Sequence, residues 1–253
     1  MLEERVSETV RSNTELPARR EDVELTTPDG LTLVGELALP AEREPVATLV
    51  TLHPLPTHGG FMDSHVYRKA ALRLPAMADL AVLRFNTRGT SSPRGTSEGA
   101  FGDGVAEAGD VAAAMRFVAE RGLPAPWLVG WSFGTELVLK YGRDYPELRG
   151  FIMLSPPIRR TTQAELDAWA AETRPAVMLV PEHDDFLVPD AARERCAAVP
   201  NIRIVAVEGG RHLWVGEPMV RRVLSEIVGL ANPAALPLPE SWPPARSEEA
   251  RPA

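Results

Sequence analysis

Ser132 lies at the centre of Gly130-Trp131-Ser132-Phe133-Gly134, a G-x-S-x-G pentapeptide. A serine hydroxyl is a weak nucleophile until a base takes its proton, and the base works best when an acid orients it. Downstream, the chain supplies both types in separate loops. Pro181-Glu182-His183-Asp184-Asp185-Phe186 carries two adjacent aspartates, and Glu208-Gly209-Gly210-Arg211-His212-Leu213-Trp214 carries a histidine. Serine, then acid, then histidine, each after a short apolar run, is the order in which a serine on a strand-to-helix elbow meets its partners. The turn is too tight for side chains at its shoulders, which accounts for Gly130 and Gly134. The Phe133 N–H, at the head of the following helix, can then donate to a developing oxyanion. The chemistry assembled by Ser132, Asp185 and His212 is acyl transfer.

Such residues need a rigid frame, and the chain spells one out. Val23 to Thr27 and Leu31 to Leu39 read as a hairpin about the turn Pro28-Asp29-Gly30. Val46 to Leu52, Leu80 to Phe85, Trp127 to Val129, Gly150 to Leu154, Ala176 to Val180 and Ile202 to Val207 are apolar and β-branched runs typical of buried strands. Between them lie helical patterns. One starts at Asp63 or Ser64 and is expected to kink or stop at Pro75. Others run from Val105 to Arg121, from the elbow to about Tyr145, from Gln163 to Ala171, from Ala191 to Ala198 and from Glu217 to Leu230. Alternating strands and helices imply an α/β fold with a mostly parallel, doubly wound sheet. Ser132, Asp185 and His212 each fall at the C-terminal end of a strand, the edge where open α/β sheets bind ligands. Residues 1–20 are polar and without sustained period, and are read as a flexible arm, frayed or loosely docked, before a domain at 21–231. Residues 232–253, with Pro233, Pro237, Pro239, Pro243, Pro244 and Pro252, read as a tail that is disordered or laid over the surface, with Trp242 a candidate anchor within it.

Composition narrows the function classes. The 253 residues suffice for one large domain, and 44% hydrophobic content is ordinary for a globular chain. A net charge of −8, from 27 basic and 35 acidic side chains, argues against nucleic-acid binding. No apolar stretch is long enough to span a membrane, and the charged start Met1-Leu2-Glu3-Glu4-Arg5 lacks a signal-peptide core. A cytoplasmic location is expected, in keeping with a single cysteine, Cys196, read as structural. No His/Cys spacing fits zinc, and no phosphate-binding glycine pattern occurs in the Asn86 to Gly104 loop, so no metal or organic cofactor is expected.

Taken with the elbow, acid and histidine, the loops His53-Pro54-Leu55-Pro56-Thr57-His58-Gly59-Gly60-Phe61-Met62-Asp63 and Asn86-Thr87-Arg88-Gly89 resemble the α/β-hydrolase superfamily. Within it they are similar to a branch of small bacterial serine hydrolases. The resemblance runs from about Val23 to Leu230. It implies a sheet of about eight strands, with residues 156–175 as a short cap insertion. The superfamily commonly places the acid four residues before a proline. That spacing, to Pro189, favours Asp185, with Asp184 as the alternative. The superfamily's His-Gly-x loop, which supplies a second oxyanion donor through the N–H of x, reads His53-Pro54-Leu55 here and points to Leu55. His53, His58, Trp131 and Trp214 are candidate pocket-lining residues, with a structural hydrogen-bonding role an equal reading for the two histidines. Arg88 and Arg94 are candidates for an anionic substrate group, but a loop braced by arginine hydrogen bonds is the favoured reading, and Arg159 and Arg160 are read as a solvated face. His183 and His65 are read as exposed.

The expected function is hydrolysis of an ester-type bond in a small acyl substrate, by a carboxylesterase or thioesterase-like route through an acyl-enzyme. The alternatives are a peptidase or acyltransferase on the same triad, a noncatalytic ligand-binding member of the fold, and an interaction protein working through the proline-rich tail. Haloalkane- or epoxide-cleaving chemistry is disfavoured because those relatives carry aspartate at the position of Ser132.

Overall fold

The computed structural model describes residues 7–244. Eight strands build one sheet: β1 (Ala18–Thr26), β2 (Thr32–Pro40), β3 (Ala47–Leu52), β4 (Leu80–Phe85), β5 (Pro126–Trp131), β6 (Gly150–Leu154), β7 (Ala176–His183) and β8 (Ile202–Arg211). Their spatial order is β8-β7-β6-β5-β3-β4-β2-β1. Only β2 runs against its neighbours, forming a hairpin with β1 and pairing antiparallel with β4; every other pairing is parallel. The chain order reverses between β3 and β5, which sit side by side at the centre, so the loops after these two strands meet at the same sheet edge.

Strand periodicity accounts for both cores. Val50, Leu83, Leu128 and Met178 face one side, whereas their chain neighbours Leu49, Val82, Val129 and Val177 face the other. On the first side pack helices α2 (Ala108–Glu120), α3 (Phe133–Tyr141), α4 (Gln163–Asp167) and α5 (Pro189–Arg195), through Val111, Met115, Leu137, Leu166 and Ala192. On the second pack α1 (His65–Ala78) and α6 (Glu217–Ala231), through Val66, Leu74, Val220 and Leu224. Because both faces are covered, the central strands read as continuous apolar runs instead of alternating ones. Among the described residues no helix is long and apolar enough to cross a membrane.

The structure departs from the expected elements in four places. First, Pro75 lies inside α1, which continues to Ala78. Its ring removes the N–H that would bond the Ala71 carbonyl. Arg20 Nη2 reaches the Ala71 and Leu72 carbonyls at 3.5 Å, and the Leu16 N–H bonds the Leu72 carbonyl at 2.9 Å. Second, the residues that make this repair belong to the supposedly flexible arm. Within it Leu16 is buried, Glu8–Thr9 forms a short strand, and the sheet itself already begins at Ala18.

Third, the proline-rich segment is laid down in order as far as it is described. Ser241–Trp242 pairs antiparallel with Glu8–Thr9, Leu238 is buried, and Arg221 donates to the Leu238 and Pro239 carbonyls. Trp242, opposite Glu8 in this pairing, is half-buried. Proline has little conformational freedom to lose and no N–H to satisfy, so donors from one arginine to its carbonyls suffice to hold it. The remainder of the proposed tail, 245–253, lies outside the described residues. Fourth, α2 starts at Ala108 and not at Val105. The Glu107 carboxylate accepts from the N–H groups of Gly102 and Gly104 at 2.7 and 2.8 Å, which folds the preceding residues into a turn.

Candidate active site

The strand β5 delivers Ser132 to the turn before α3, and the backbone there is strained. Ser132 has φ 52° and ψ −113°, a conformation that L side chains rarely adopt and that costs on the order of 1–3 kcal/mol. Its neighbours hold it in place. The Ser132 N–H donates to the Leu154 carbonyl at 2.8 Å, and the Thr135 N–H and hydroxyl donate to the Ser132 carbonyl at 2.9 and 2.6 Å. The flanking glycines are required by contact. A Cβ on Gly130 would stand 2.4 Å from the Gly134 carbonyl oxygen, and one on Gly134 would stand 1.9 Å from that of Leu52. The elbow therefore fits only because β3 and α3 approach through bare backbone.

His212 follows β8 and points its ring at the serine. Its Nε2 lies 2.9 Å from Ser132 Oγ. The backbone that carries the ring is fixed, because the His212 carbonyl accepts from Trp131 Nε1 at 3.1 Å and from Ser155 Oγ at 3.0 Å. Nδ1 lies 2.9 Å from Asp184 Oδ2 and 3.1 Å from Oδ1. The carboxylate holds that nitrogen in its protonated form and leaves Nε2 free to accept the serine proton.

The acid at His212 is thus Asp184, and the expectation of Asp185 is corrected. Asp184 is 7% exposed, and its Oδ1 also accepts the Phe186 N–H at 2.8 Å and the Leu187 N–H at 3.3 Å. This side chain-to-backbone turn aims the remaining oxygen at the imidazole. Asp185, one residue on, is exposed to solvent. Spacing to Pro189 misleads because adjacent residues entering a turn point in opposite directions.

Leu55 heads a single 3₁₀ turn, Pro56–His58, immediately after β3. Its carbonyl accepts from the N–H groups of His58 and Gly60, both at 3.0 Å. Among the described residues neither the Leu55 N–H nor the Phe133 N–H has a protein acceptor. Phe133 opens α3 within the elbow, and Leu55 lies in the loop after the adjacent strand β3.

The four candidate pocket residues divide. A cleft of about 970 Å³ is lined in part by Pro54, His58, Phe61, His65, Trp131 and Leu213, of which Trp131 and Leu213 are the chain neighbours of Ser132 and His212. Trp131 and His58 are on its lining. His53 and Trp214 are not. Trp214 is fully buried in the cluster that holds Val220 and Leu224. His53 is 1% exposed, with Nδ1 2.7 Å from the Pro54 carbonyl and Nε2 accepting the Thr87 N–H at 3.0 Å. Burial lowers its pKa to about 4, so it is a neutral strut between the β3 and β4 loops. The apolar run preceding His53 signalled a strand end, but nothing in the sequence told a strut from a pocket wall.

The Asn86 to Gly104 loop is braced from within. Arg88 donates its N–H and Nε to the two oxygens of Asp110, both at 2.8 Å, and its two terminal nitrogens to Asp29. Arg94 reaches Asp22, Glu36 and Asp63. Asp63 and Glu36 also pair with the buried Arg84, so Asp63 serves this network and does not cap α1. Arg88 and Arg94 are occupied with protein carboxylates.

One contributor was misread. His65, expected on an exposed face, is half-buried at the head of α1. Its Nε2 lies 2.6 Å from the Leu213 carbonyl, and its ring stands edge-on to Trp131 with centroids 5.4 Å apart. It ties α1 to the loop that carries His212. A histidine at a helix start has no sequence mark that foretells such a contact. His183 is exposed, as expected, and Cys196 is buried with its thiol pushed up to about 11 by desolvation. Among the described residues no group of His, Cys, Asp and Glu has the geometry to hold a metal ion.

The sheet order, the elbow after β5 and the hydrogen-bonded serine, histidine and aspartate agree with the sequence relationships of the chain. Residues 57–214 match the model of the alpha/beta hydrolase fold family, and the chain belongs to that family. An uncharacterized protein of Rickettsia prowazekii is 28% identical over 147 residues, which are 57% of this chain and 60% of that protein. The chain thus matches less than two thirds of that relative's length. Among solved structures, an α/β serine hydrolase without a lid from Xanthomonas campestris superposes with a TM-score of 0.66 at 25% identity, covering 87% of this chain and 94% of that one. An α/β serine hydrolase homologue from Coxiella burnetii gives 0.70 at 23% identity, covering 87% and 97%. An esterase from Pyrococcus furiosus gives 0.68 at 17% identity, covering 85% and 93%. The Xanthomonas and Coxiella structures are small bacterial serine hydrolases of this fold, in line with the branch read from the loops.

Proposed function

We propose that the protein is a serine hydrolase that cleaves an ester-type acyl bond through Ser132, His212 and Asp184. The observation that carries this reading is the single imidazole within hydrogen-bond reach of both partners, 2.9 Å from the hydroxyl and 2.9 Å from the carboxylate. His212 removes the Ser132 proton as Oγ attacks the acyl carbon, and Asp184 stabilises the imidazolium so formed. The unpaired N–H groups of Phe133 and Leu55 receive the oxyanion. His212 then protonates the leaving group, and a water that it activates releases the acyl chain from the serine.

A small-molecule ester or thioester is the substrate class favoured by the short span between β6 and β7, Pro156 to Pro175. That span holds α4 and one further 3₁₀ turn, Ala168–Ala171, and is too brief to enclose a long lipid. The lidless description of the Xanthomonas structure and the esterase description of the Pyrococcus structure point the same way.

Turnover of p-nitrophenyl butyrate by the purified protein, and its loss in Ser132→Ala, is the expected result. A folded Ser132→Ala protein that retained full activity would sink the assignment. A fluorophosphonate probe, with the adduct located by mass spectrometry, separates this reading from a noncatalytic binder, which would leave Ser132 unmodified.

A further inference from the structure

The stretch that leaves β6 beside the triad is held more firmly than a solvated loop requires. Ser155 and Ile158 both adopt positive φ, 50° and 47°, a region unfavourable to side chains. Ser155 Oγ fastens the start of the stretch to the His212 carbonyl. Further on, Glu136 of α3 supplies the anchor. Its side chain is fully buried, and its carboxylate accepts the Arg159 N–H at 2.6 Å and the Thr161 hydroxyl at 2.5 Å. Burying a carboxylate is unfavourable unless its hydrogen bonds are made, and here they are made to one short piece of chain.

The residue fixed by this anchor is Arg159. Its guanidinium lies 4.7 Å above the Phe186 ring, and that ring lies 4.5 Å from the ring of His212. Stacking leaves the edge of the guanidinium free. Among the described residues no carboxylate lies within 4.0 Å of it and its side-chain donors meet no acceptor, whereas its neighbour Arg160 is paired with Asp103 at 2.7 Å. The arginines of the Asn86 to Gly104 loop are likewise occupied. An exposed cation with unused donors therefore stands at the rim of the triad, on a backbone secured at both ends.

We propose that Arg159 is a specificity-determining residue that binds a carboxylate on the acyl substrate, so that half-esters of dicarboxylic acids are preferred over neutral esters of the same length. The proposal rests on the hydrolase reading above. The planar fork matches a carboxylate through paired N–H donors, and Arg159 reaches the triad through the Phe186 ring, 4.7 Å from the guanidinium and 4.5 Å from the His212 ring.

The test compares the mono-p-nitrophenyl ester of glutaric acid with p-nitrophenyl pentanoate, which has the same chain length and no charge. The ratio of their kcat/KM values is expected to exceed one, to shrink as salt is raised, to drop about tenfold in Arg159→Gln and to recover in part in Arg159→Lys. An unchanged ratio in Arg159→Gln overturns the proposal while leaving the hydrolase reading intact. Glutarate binding to the Ser132→Ala protein, followed by calorimetry, needs no turnover. Affinity should fall about tenfold when Arg159→Gln is added. No binding, or equal binding in the two proteins, overturns the proposal whatever the kinetics. If neither ester is cleaved but glutarate still binds through Arg159, the hydrolase reading fails and the anion site stands.

Discussion

At Asp184 the two carboxylate oxygens have different partners, and this division ties loop geometry to chemistry. Oδ1 closes a turn with the N–H groups of Phe186 and Leu187, while Oδ2 lies closer to His212. Asp184→Asn should therefore reverse the imidazole's preferred tautomer and reduce kcat by on the order of 10³–10⁴. Asp185→Asn, on an exposed side chain, should stay within about twofold of the parent. Steady-state kinetics on p-nitrophenyl butyrate decide between them; comparable losses in both variants would show that geometry has been misassigned to one residue. At this scale the sequence was legible where a residue type is rare and its surroundings restrictive. Ser132 is flanked by obligate glycines, and His212 is the sole histidine after its strand. The acid was ambiguous because two identical side chains stand next to each other, and only the fold of the turn distinguishes them.

Elements were legible where burial is two-sided. Strands such as β3 and β4 read directly from continuous apolar runs. The connections were harder, since their hydrogen bonds come from distant chain: Pro75 is tolerated within α1 because Leu16 and Arg20 reach its exposed carbonyls. His53 belongs to the same class of long-range support, joining the loop after β3 to the loop after β4. This strut makes stability depend on pH in a definite sense. Burial lowers the His53 pKa from 6.5 to about 4, so between those values the unfolded chain takes up a proton that the folded one refuses. The stabilisation is complete above pH 6.5 and is lost as pH falls towards 4, by up to about 3 kcal/mol. Urea midpoints measured from pH 7 to pH 4.5 should decline more steeply in the parent than in His53→Gln. Parallel slopes would remove His53 as the source.

On the scale of the whole molecule, the described chain is drawn together at its two ends. Composition marked both ends as loose, because polarity in one and proline in the other record the absence of a core of their own. They dock on a surface formed by others: Lys69 and Arg73 of α1 share Glu217 of α6, and Arg73 also donates to the Arg11 carbonyl at 2.7 Å. The Ser7 hydroxyl lies 2.8 Å from the Pro243 carbonyl oxygen, next to the pairing of Glu8–Thr9 with Ser241–Trp242. The backbone is in effect a ring with one missing link. A few glycines between residues 7 and 244 would close it, and the chain could then be opened at Gly122, an exposed turn residue at φ 61° between α2 and β5. Such a circular permutant should fold and turn over p-nitrophenyl butyrate as the parent does. Loss of the cooperative thermal transition in the permutant would mean that the order of synthesis, and not only the final contacts, is needed to bring the ends together.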